Sequence, residues 1–207
     1  MSARIKSIAR GSSPDATVNG ILEFSQNSLG DAEMFGLLAR RPELLKRVAS
    51  MIGYFLGGQG GLLEPALLEL VRLRGANLNA CTYCATVRLQ PVAAEVKPKE
   101  AGLGLRDISG LSKAQAIAAA RNTLQTGAFT PREAAALKLV DRIAADPHSV
   151  DDALFAELRK YFSDEEIIDL ACAISLFGMT AAVNTVIHVG TSADSIYGEH
   201  GAYAAAS

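Results

Sequence analysis

Residues 69 to 84 read ELVRLRGANLNACTYC, and this stretch is the most informative part of the 207-residue chain. It places Cys81 and Cys84 three positions apart at the predicted start of a helix, with Glu69 twelve positions before the first cysteine. Two thiols at this spacing can close a disulfide across one helical turn, or act in turn as attacking and resolving sulfurs. The partial positive charge of a helix N-terminus favours thiolate over thiol. The stretch therefore predicts a redox or nucleophilic cysteine site.

Two other interpretations of the cysteine pair stay open. Half of a zinc site has the same spacing, but zinc takes about four ligands. The chain offers only Cys172, His148, His188 and His200 in addition, and none of them stands at a metal-like spacing. A structural disulfide or two inert buried thiols is the other alternative, since free cysteine is among the most buried residue types.

The wider pattern resembles the AhpD-like alkylhydroperoxidase and carboxymuconolactone decarboxylase superfamily. Besides residues 69 to 84, the resemblance rests on RPELL at residues 41 to 45, FTPREAAAL at 129 to 137 and FSDEEIIDL at 162 to 170. It covers roughly residues 33 to 190. The resemblance implies an all-α, AhpD-like helical bundle that needs no cofactor or metal.

The resemblance also implies roles for the site residues. Cys84 attacks a small-molecule peroxide and becomes a sulfenic acid, Cys81 condenses with it to form the disulfide, and an external dithiol reduces that disulfide. Glu69 takes part in the proton relay. The family commonly forms trimers or hexamers, so a homotrimer or homohexamer is expected.

The sequence departs from the family pattern at two positions. Arg88 stands where peroxidase members typically carry a histidine, and Tyr83 stands between the cysteines where many have another. An arginine stays protonated and cannot shuttle a proton. In a continuous helix, however, Arg88 lies one turn from Cys84 and can hold it as a thiolate, or it forms an ion pair with a residue such as Glu69. Tyr83 either donates a hydrogen bond in the site or packs as a core aromatic.

Three functions are compatible with the sequence. The first is a cysteine peroxidase or thiol-disulfide oxidoreductase. The second is a decarboxylase or isomerase-like enzyme that acts on a small lactone or acid; such members do not need the cysteine pair. The third is a non-catalytic oligomeric protein with a vestigial site, which the arginine at position 88 keeps open.

Composition narrows the partners and the compartment. Lys and Arg number 20 against 22 Asp and Glu, which gives no electrostatic reason to expect a nucleic acid or an anionic membrane. Three cysteines do not make a disulfide framework, and the first residues lack an apolar signal core, so we expect a cytoplasmic protein. Residues 170 to 193 contain no charged side chain. We interpret them as a buried core helix, with Cys172 as a small core residue and His188 as a core or interface histidine.

Helix signals follow one another along the chain. We predict an N-terminal extension at residues 1 to 30, loosely ordered or between subunits, and a single domain at 31 to 207. Helices are expected at 31 to 40, 42 to 55, 62 to 75 and 81 to 96, with a loop at 97 to 110. Three later starts have a hydroxyl three residues before Glu or Gln, the capping-box spacing. No strand pattern appears, and about eight helices are expected.

Overall fold

The computed structural model describes residues 3–56, 60–105 and 107–198. These residues form α-helices, short 3₁₀ helices and connecting loops without a β-strand, so the all-α prediction is confirmed. The 3₁₀ helices are Lys97–Leu103, Thr126–Ala128 and Pro147–Ser149, the first of them inside an expected loop. The ten α-helices of the described residues are α1 Ala16–Leu29, α2 Glu33–Leu38, α3 Pro42–Leu56, α4 Pro65–Leu78, α5 Thr82–Thr86, α6 Gln90–Val96, α7 Lys113–Ala120, α8 Pro131–Ala145, α9 Asp152–Leu158 and α10 Asp164–Ile187.

The three predicted capping boxes are present. In each, the hydroxyl of the N-cap residue accepts the backbone N–H three residues on, and the side chain of that residue accepts the N-cap N–H. Both groups belong to the set of helix N-terminal donors that have no partner inside the helix. The local sequence therefore fixes where these helices begin. The pairs are Ser112 and Gln115 for α7, Thr130 and Glu133 for α8, and Ser163 and Glu166 for α10.

Helix α4 lies at the centre of the fold. Every residue from Leu67 to Leu78 is buried, because α5, α6, α8 and α10 all pack around it. Charged side chains in such a helix must be paired inside the protein. Arg74 meets this condition, since its guanidinium binds Asp141 and the carbonyl oxygens of Leu103 and Ala120.

Helix α1 is a finding that the sequence did not predict. Residues 16 to 29 belong to the expected extension, loosely ordered or between subunits, but Asp15 caps a helix whose Val18 and Leu22 are fully buried. These side chains belong to the same apolar cluster as Leu45, Tyr83 and Cys84. Helix α1 therefore packs against α2, α3 and α6, in the same cluster as the cysteines. The domain boundary at residue 30 itself stays a prediction.

The expected helix from 81 to 96 is interrupted, which corrects the prediction. Helix α5 ends at Thr86, Val87 and Leu89 have extended backbones, and α6 begins at Gln90. Pro91 explains the break, because a continuous helix would set the proline ring against the carbonyl of Val87, which could then receive no N–H. Residues after Val87 therefore do not continue the face of α5 that carries Cys84.

Helix α10 is 24 residues long and is apolar enough to cross a membrane by length and composition. It packs against α3, α4, α5 and α8, and 39% of its most apolar window is buried inside the protein. Its opposite face is exposed. Cys172 lies on that face, so its expected place in the core is wrong. Hydropathy along the sequence does not distinguish the two faces of a helix, and it therefore suggested that all of α10 is buried.

Candidate active site

The turn between α4 and α5 presents the cysteine pair. The N–H of Ala80 bonds the carbonyl of Asn77, and the N–H of Cys81 bonds that of Ala76 at 3.0 Å, the Schellman pattern at a helix C-terminus. Ala80 adopts a left-handed backbone with φ of +53°, although glycine is the usual residue there. This strained turn ends α4 and starts α5 within three residues.

Cys81 is the N-cap of α5, and its sulfur accepts the N–H of Cys84 at 3.3 Å. The two cysteines form a disulfide, with Cα atoms 5.3 Å apart. Both are buried, Cys81 at 2% and Cys84 at 9% exposure. The predicted Cys-x-x-Cys pair is therefore present and close enough to cycle between dithiol and disulfide without rearrangement of the backbone.

Behind the cysteines, Glu69 and Arg72 form a buried ion pair. Nε and Nη2 of Arg72 donate to the two carboxylate oxygens of Glu69 at 2.6 and 2.7 Å. Arg72 also donates to the carbonyls of Cys84 and Val87, both at 2.7 Å, and Glu69 accepts the N–H of Leu89 at 3.0 Å. Burial alone lowers the pKa of Arg72, but the charge of Glu69 and its hydrogen bonds outweigh this and raise it. The pair thus fixes the end of α5 and the start of α6.

Arg88 does not reach the cysteines. Its Nε binds Glu100 at 2.9 Å, and its Nη1 donates to the carbonyls of Ala85, Thr86 and Val87. The expected position one helical turn after Cys84 fails because α5 has already ended, and the expected alternative partner, Glu69, is bound to Arg72 instead. Arg88 serves as a C-terminal cap of α5 by satisfying carbonyls that the short helix leaves without partners.

Tyr83 lies between the cysteines and is buried. Its O–H donates to the carboxylate of Asp31 at 2.8 Å, and its oxygen accepts the N–H of Met34. Asp31, fully buried, also accepts the N–H and hydroxyl of Ser192. Burial, together with the charge of Asp31, raises the pKa of Tyr83 well above its usual value. Tyr83 therefore remains a protonated donor that holds α5 against the segments before α2 and after α10.

An apolar pocket of about 520 Å³, counted with the solvent at its mouth, opens beside the cysteine pair. Of the two cysteines, both in the described part of the chain, Cys84 lines the pocket and Cys81 does not. The apolar walls come from α1, α2, α3 and α10 and include Leu29, Phe35, Ile52 and Phe177. A second cavity of about 710 Å³ shares the first three of these walls and extends toward Phe24 and Pro91. Cys84 thus faces an apolar space next to a larger cavity.

Asn184 brings a polar group to this pocket. Its Nδ2 donates to the sulfur of Cys84 at 3.4 Å. Its Oδ1 is buried and accepts no hydrogen bond within the described structure. An unpaired buried acceptor is costly, and at a ligand site a donor on the ligand can satisfy it. Asn184 is therefore placed to contact both the sulfur and a molecule in the pocket.

The sequence predicted the cysteines, Glu69 and Tyr83 as site residues, and the structure brings them close together; Arg72 and Asn184 were not predicted. The spacing of Glu69 and Arg72, three residues apart on one helix, was a readable signal for an ion pair. The signal for Asn184 was a polar side chain inside a charge-free helix. No group of three or more His, Cys, Asp or Glu side chains in the described ranges could hold a metal ion.

Comparison with known proteins places the fold. No family model matches the sequence. An uncharacterised peroxidase-related protein from Ralstonia eutropha JMP134, described as an alkylhydroperoxidase AhpD core, superposes with a TM-score of 0.67 and 20% identity over 92% of each chain. The chain has the AhpD core fold. The debrominase Bmp8, crystallised as a cysteine-to-alanine variant with 2,3,4-tribromopyrrole, superposes with a TM-score of 0.67 and 16% identity over 94% of each chain.

The AhpD core fold confirms the resemblance read from the sequence at the level of fold. Among curated proteins, the uncharacterised protein YnjA of Escherichia coli strain K12 is 25% identical over 150 residues, which make up 72% of this chain and 74% of YnjA. Another uncharacterised peroxidase-related protein with this fold, from Silicibacter sp. TM1040, matches with a TM-score of 0.67 and 17% identity over 93% of each chain. Identities this low leave the activity to be argued from the site.

Proposed function

We propose that this protein is a thiol-dependent peroxidase that uses Cys81 and Cys84 as a redox pair. The observation that carries the proposal is the position of Cys84, whose sulfur faces an apolar pocket while its disulfide partner lies behind it at the start of α5. A molecule entering the pocket meets Cys84 first. This position supports Cys84 as the attacking sulfur and Cys81 as the resolving sulfur.

The proposed reaction has two steps. The Cys84 thiolate attacks the terminal oxygen of a hydroperoxide, the O–O bond breaks, and the sulfur becomes a sulfenic acid. The departing alkoxide takes up the proton released when Cys84 ionised and leaves as an alcohol. The Cys81 thiol then attacks the Cys84 sulfur, and water leaves as the disulfide forms. An external dithiol reduces that disulfide by thiol-disulfide exchange.

Asn184 and the Glu69–Arg72 pair have different parts in this scheme. The Nδ2 of Asn184 donates to the Cys84 sulfur, and a hydrogen bond to the charged form of a group favours that form. Arg72 holds the carbonyl of Cys84 and thereby sets the position of α5, with Glu69 fixing Arg72. We therefore propose Glu69 and Arg72 as positioning residues rather than members of a histidine-type relay.

The apolar lining of the pocket and the cavity beside it favour organic hydroperoxides over hydrogen peroxide. Its walls are almost entirely apolar, and the adjoining cavity gives space for an organic group. The polar O–O–H end can then lie between Cys84 and the unpaired Oδ1 of Asn184. We propose that the hydroperoxide donates its hydrogen bond to this oxygen.

Counting thiols tests the proposal. Because Cys172 is exposed and can react by itself, the experiment uses Cys172→Ser. One equivalent of cumene hydroperoxide should convert two free thiols to none, dithiothreitol should restore both, and peptide mapping should recover a Cys81–Cys84 disulfide. Two thiols that persist in the folded, reduced protein after treatment would overturn the proposal and favour a vestigial site.

The debrominase neighbour provides a second candidate substrate for the same thiols. A protein of this fold binds a brominated pyrrole, and the aromatic side chains of Phe35 and Phe177 line the pocket here. Reductive debromination would oxidise the two thiols to the disulfide, replace one C–Br bond with C–H and release bromide and a proton. Bromide release from 2,3,4-tribromopyrrole, with no peroxide consumption, would favour this reaction.

A further inference from the structure

The exposed face of α10 carries a regular apolar stripe. Positions 168, 172, 175, 179, 182 and 186 are all exposed, and their spacing alternates between four and three residues. This alternation is the a and d pattern of helices that pair along their length. None of the six side chains is charged; they are Ile168, Cys172, Ser175, Met179, Ala182 and Val186.

The side chains of this stripe can be covered at little cost. Ile168 and Val186 are more than 60% exposed and Met179 is 46% exposed, so apolar surface faces solvent along about five turns of helix. The hydroxyl of Ser175 already donates to the carbonyl of Ala171 at 2.9 Å, and covering it strands no donor. Since the opposite face of α10 is packed in the core, the stripe is the part of the helix left without a neighbour in the described structure.

The stripe is complementary to itself when two copies run antiparallel. With the twofold axis at position 177, Ile168 faces Val186, Cys172 faces Ala182, and Ser175 faces Met179. Cys172 and Ser175 are small and lie opposite Ala182 and Met179. Each of these pairs therefore contains a small side chain, which allows the helices to approach at the usual 8–10 Å. A parallel pair would instead set Met179 against Met179.

Charges at the two ends of α10 also favour the antiparallel arrangement. The first turn is acidic, and Glu165 is exposed there. At the other end, Arg4 donates to the carbonyl of Val186 through Nη1 and to that of Ile187 through its backbone N–H. Antiparallel pairing places the acidic start of one helix beside Arg4 of the other copy, while parallel pairing brings like charges together.

We propose that the α10 stripe is the contact surface for a second copy of this chain, joined antiparallel about a twofold axis. A cavity of about 380 Å³ adjoins the stripe, with Met179 and Val183 on one side and Leu44 on the other, and it ends at Asn184. The second copy covers this cavity and so closes the outer side of the wall that holds Asn184 against Cys84. A twofold contact is compatible with a hexamer of three such pairs, but not with a trimer that lacks twofold axes.

The mass of the protein in solution tests the contact. Multi-angle light scattering at micromolar concentration should give an even multiple of 21.8 kDa, and Met179→Glu should reduce the mass by half or more. Phe155→Glu is the matched control, because Phe155 is also exposed but lies on α9, and it should leave the mass unchanged. A monomeric wild-type protein, or a Met179→Glu variant that is folded by circular dichroism and has the wild-type mass, would overturn the proposal.

Cross-linking tests the direction of the helices. In a Cys81→Ser, Cys84→Ser background, adding Ala182→Cys should give disulfide-linked dimers under mild oxidation, because position 182 faces Cys172 of the other copy. The same background without Ala182→Cys should give none, since the two Cys172 side chains lie about 15 Å apart along the helix axes. Efficient dimer formation through Cys172 alone would show parallel helices and overturn the proposal, as would an Ala182→Cys variant that forms no dimer.

Discussion

Arg72 donates hydrogen bonds to both carboxylate oxygens of Glu69, at 2.6 and 2.7 Å, from one turn further along the same helix. Glu69 is fully buried and Arg72 is 8% exposed, so neither charge can be solvated if the other is removed. Because Arg72 also holds the carbonyls of Cys84 and Val87, the pair connects the central helix to the helix of the cysteines.

Removal of one member of this pair should destabilise the protein strongly. We expect Arg72→Met or Glu69→Gln to lower the free energy of unfolding by about 3–5 kcal/mol, because an uncompensated charge or polar group stays buried. The double variant should lose less than the sum of the two. Urea unfolding at one fixed protein concentration measures this. Lys138→Met, which breaks a partly exposed pair with Glu157, is the control and should cost under about 1 kcal/mol.

The two cysteines should differ in function. Cys84→Ser should abolish consumption of an organic hydroperoxide, because the sulfur that faces the pocket is lost. Cys81→Ser should allow one turnover and leave a sulfenic acid at Cys84, which dimedone labels and mass spectrometry detects. If Cys81→Ser abolished the first turnover and Cys84→Ser retained it, the roles would be reversed.

Arg88 should have no direct effect on the Cys84 thiol. Its guanidinium is bound to Glu100 and to the end of α5, so Arg88→Ala should leave the rate of Cys84 alkylation by iodoacetamide at pH 7 within about twofold of wild type in the reduced protein. The same variant should lower stability by about 1–3 kcal/mol, as carbonyls of α5 lose their charged donor. Alkylation about tenfold slower in a folded Arg88→Ala variant would restore Arg88 to the site, since that corresponds to one pKa unit, about 1.4 kcal/mol.

Asn184 should influence the thiol where Arg88 does not. Asn184→Leu keeps the size of the side chain but removes the donor to the Cys84 sulfur, so the pKa of Cys84 should rise. Alkylation of Cys84 should be slower in the variant than in wild type at pH 7. The two rates should be equal at a pH where Cys84 is ionised in both proteins. Thr180→Val is the matched control, because Thr180 lines the same pocket and its hydroxyl bonds the carbonyl of Phe177. Equal pH profiles for Asn184→Leu and wild type would remove Asn184 from the site.

The turn before the cysteines stores strain that one substitution can relieve. Ala80 has a φ of +53°, which glycine adopts without the penalty imposed by a Cβ. Ala80→Gly should therefore stabilise the protein by up to about 1 kcal/mol, measured by thermal or urea unfolding. Ala80→Val should destabilise it, since a β-branched side chain fits this region worst.

The sequence was most informative where one local interaction decides the structure. Each capping box needs only a hydroxyl and a Glu or Gln three residues apart, and all three predicted boxes formed. The break after Thr86 could also have been predicted, because Pro91 forbids a continuous helix from 81 to 96.

Other features depend on which side of a helix packs against the core. The sequence of one segment alone does not determine that side. Cys172 lies on a charge-free helix, so composition suggested burial, whereas packing against α4 leaves its face exposed. Likewise, Asn184 approaches Cys84 across a hundred residues of sequence, and only the assembled helices show it. Helix α1 was missed because the polar, turn-rich residues before it suggested a loose terminus.

The residues that line the pocket are synthesised at different times. Three of its lining residues, Phe177, Thr180 and Asn184, belong to α10, the last helix of the described chain. Asp31, which holds Tyr83, also accepts hydrogen bonds from Ser192, 161 residues away. A ribosome that has released the cysteines must therefore still make about a hundred residues, several seconds of synthesis, before the wall opposite Cys84 can form. During that interval the thiols belong to an unfinished protein, and their pairing in that period depends on the redox state of their surroundings rather than on this fold.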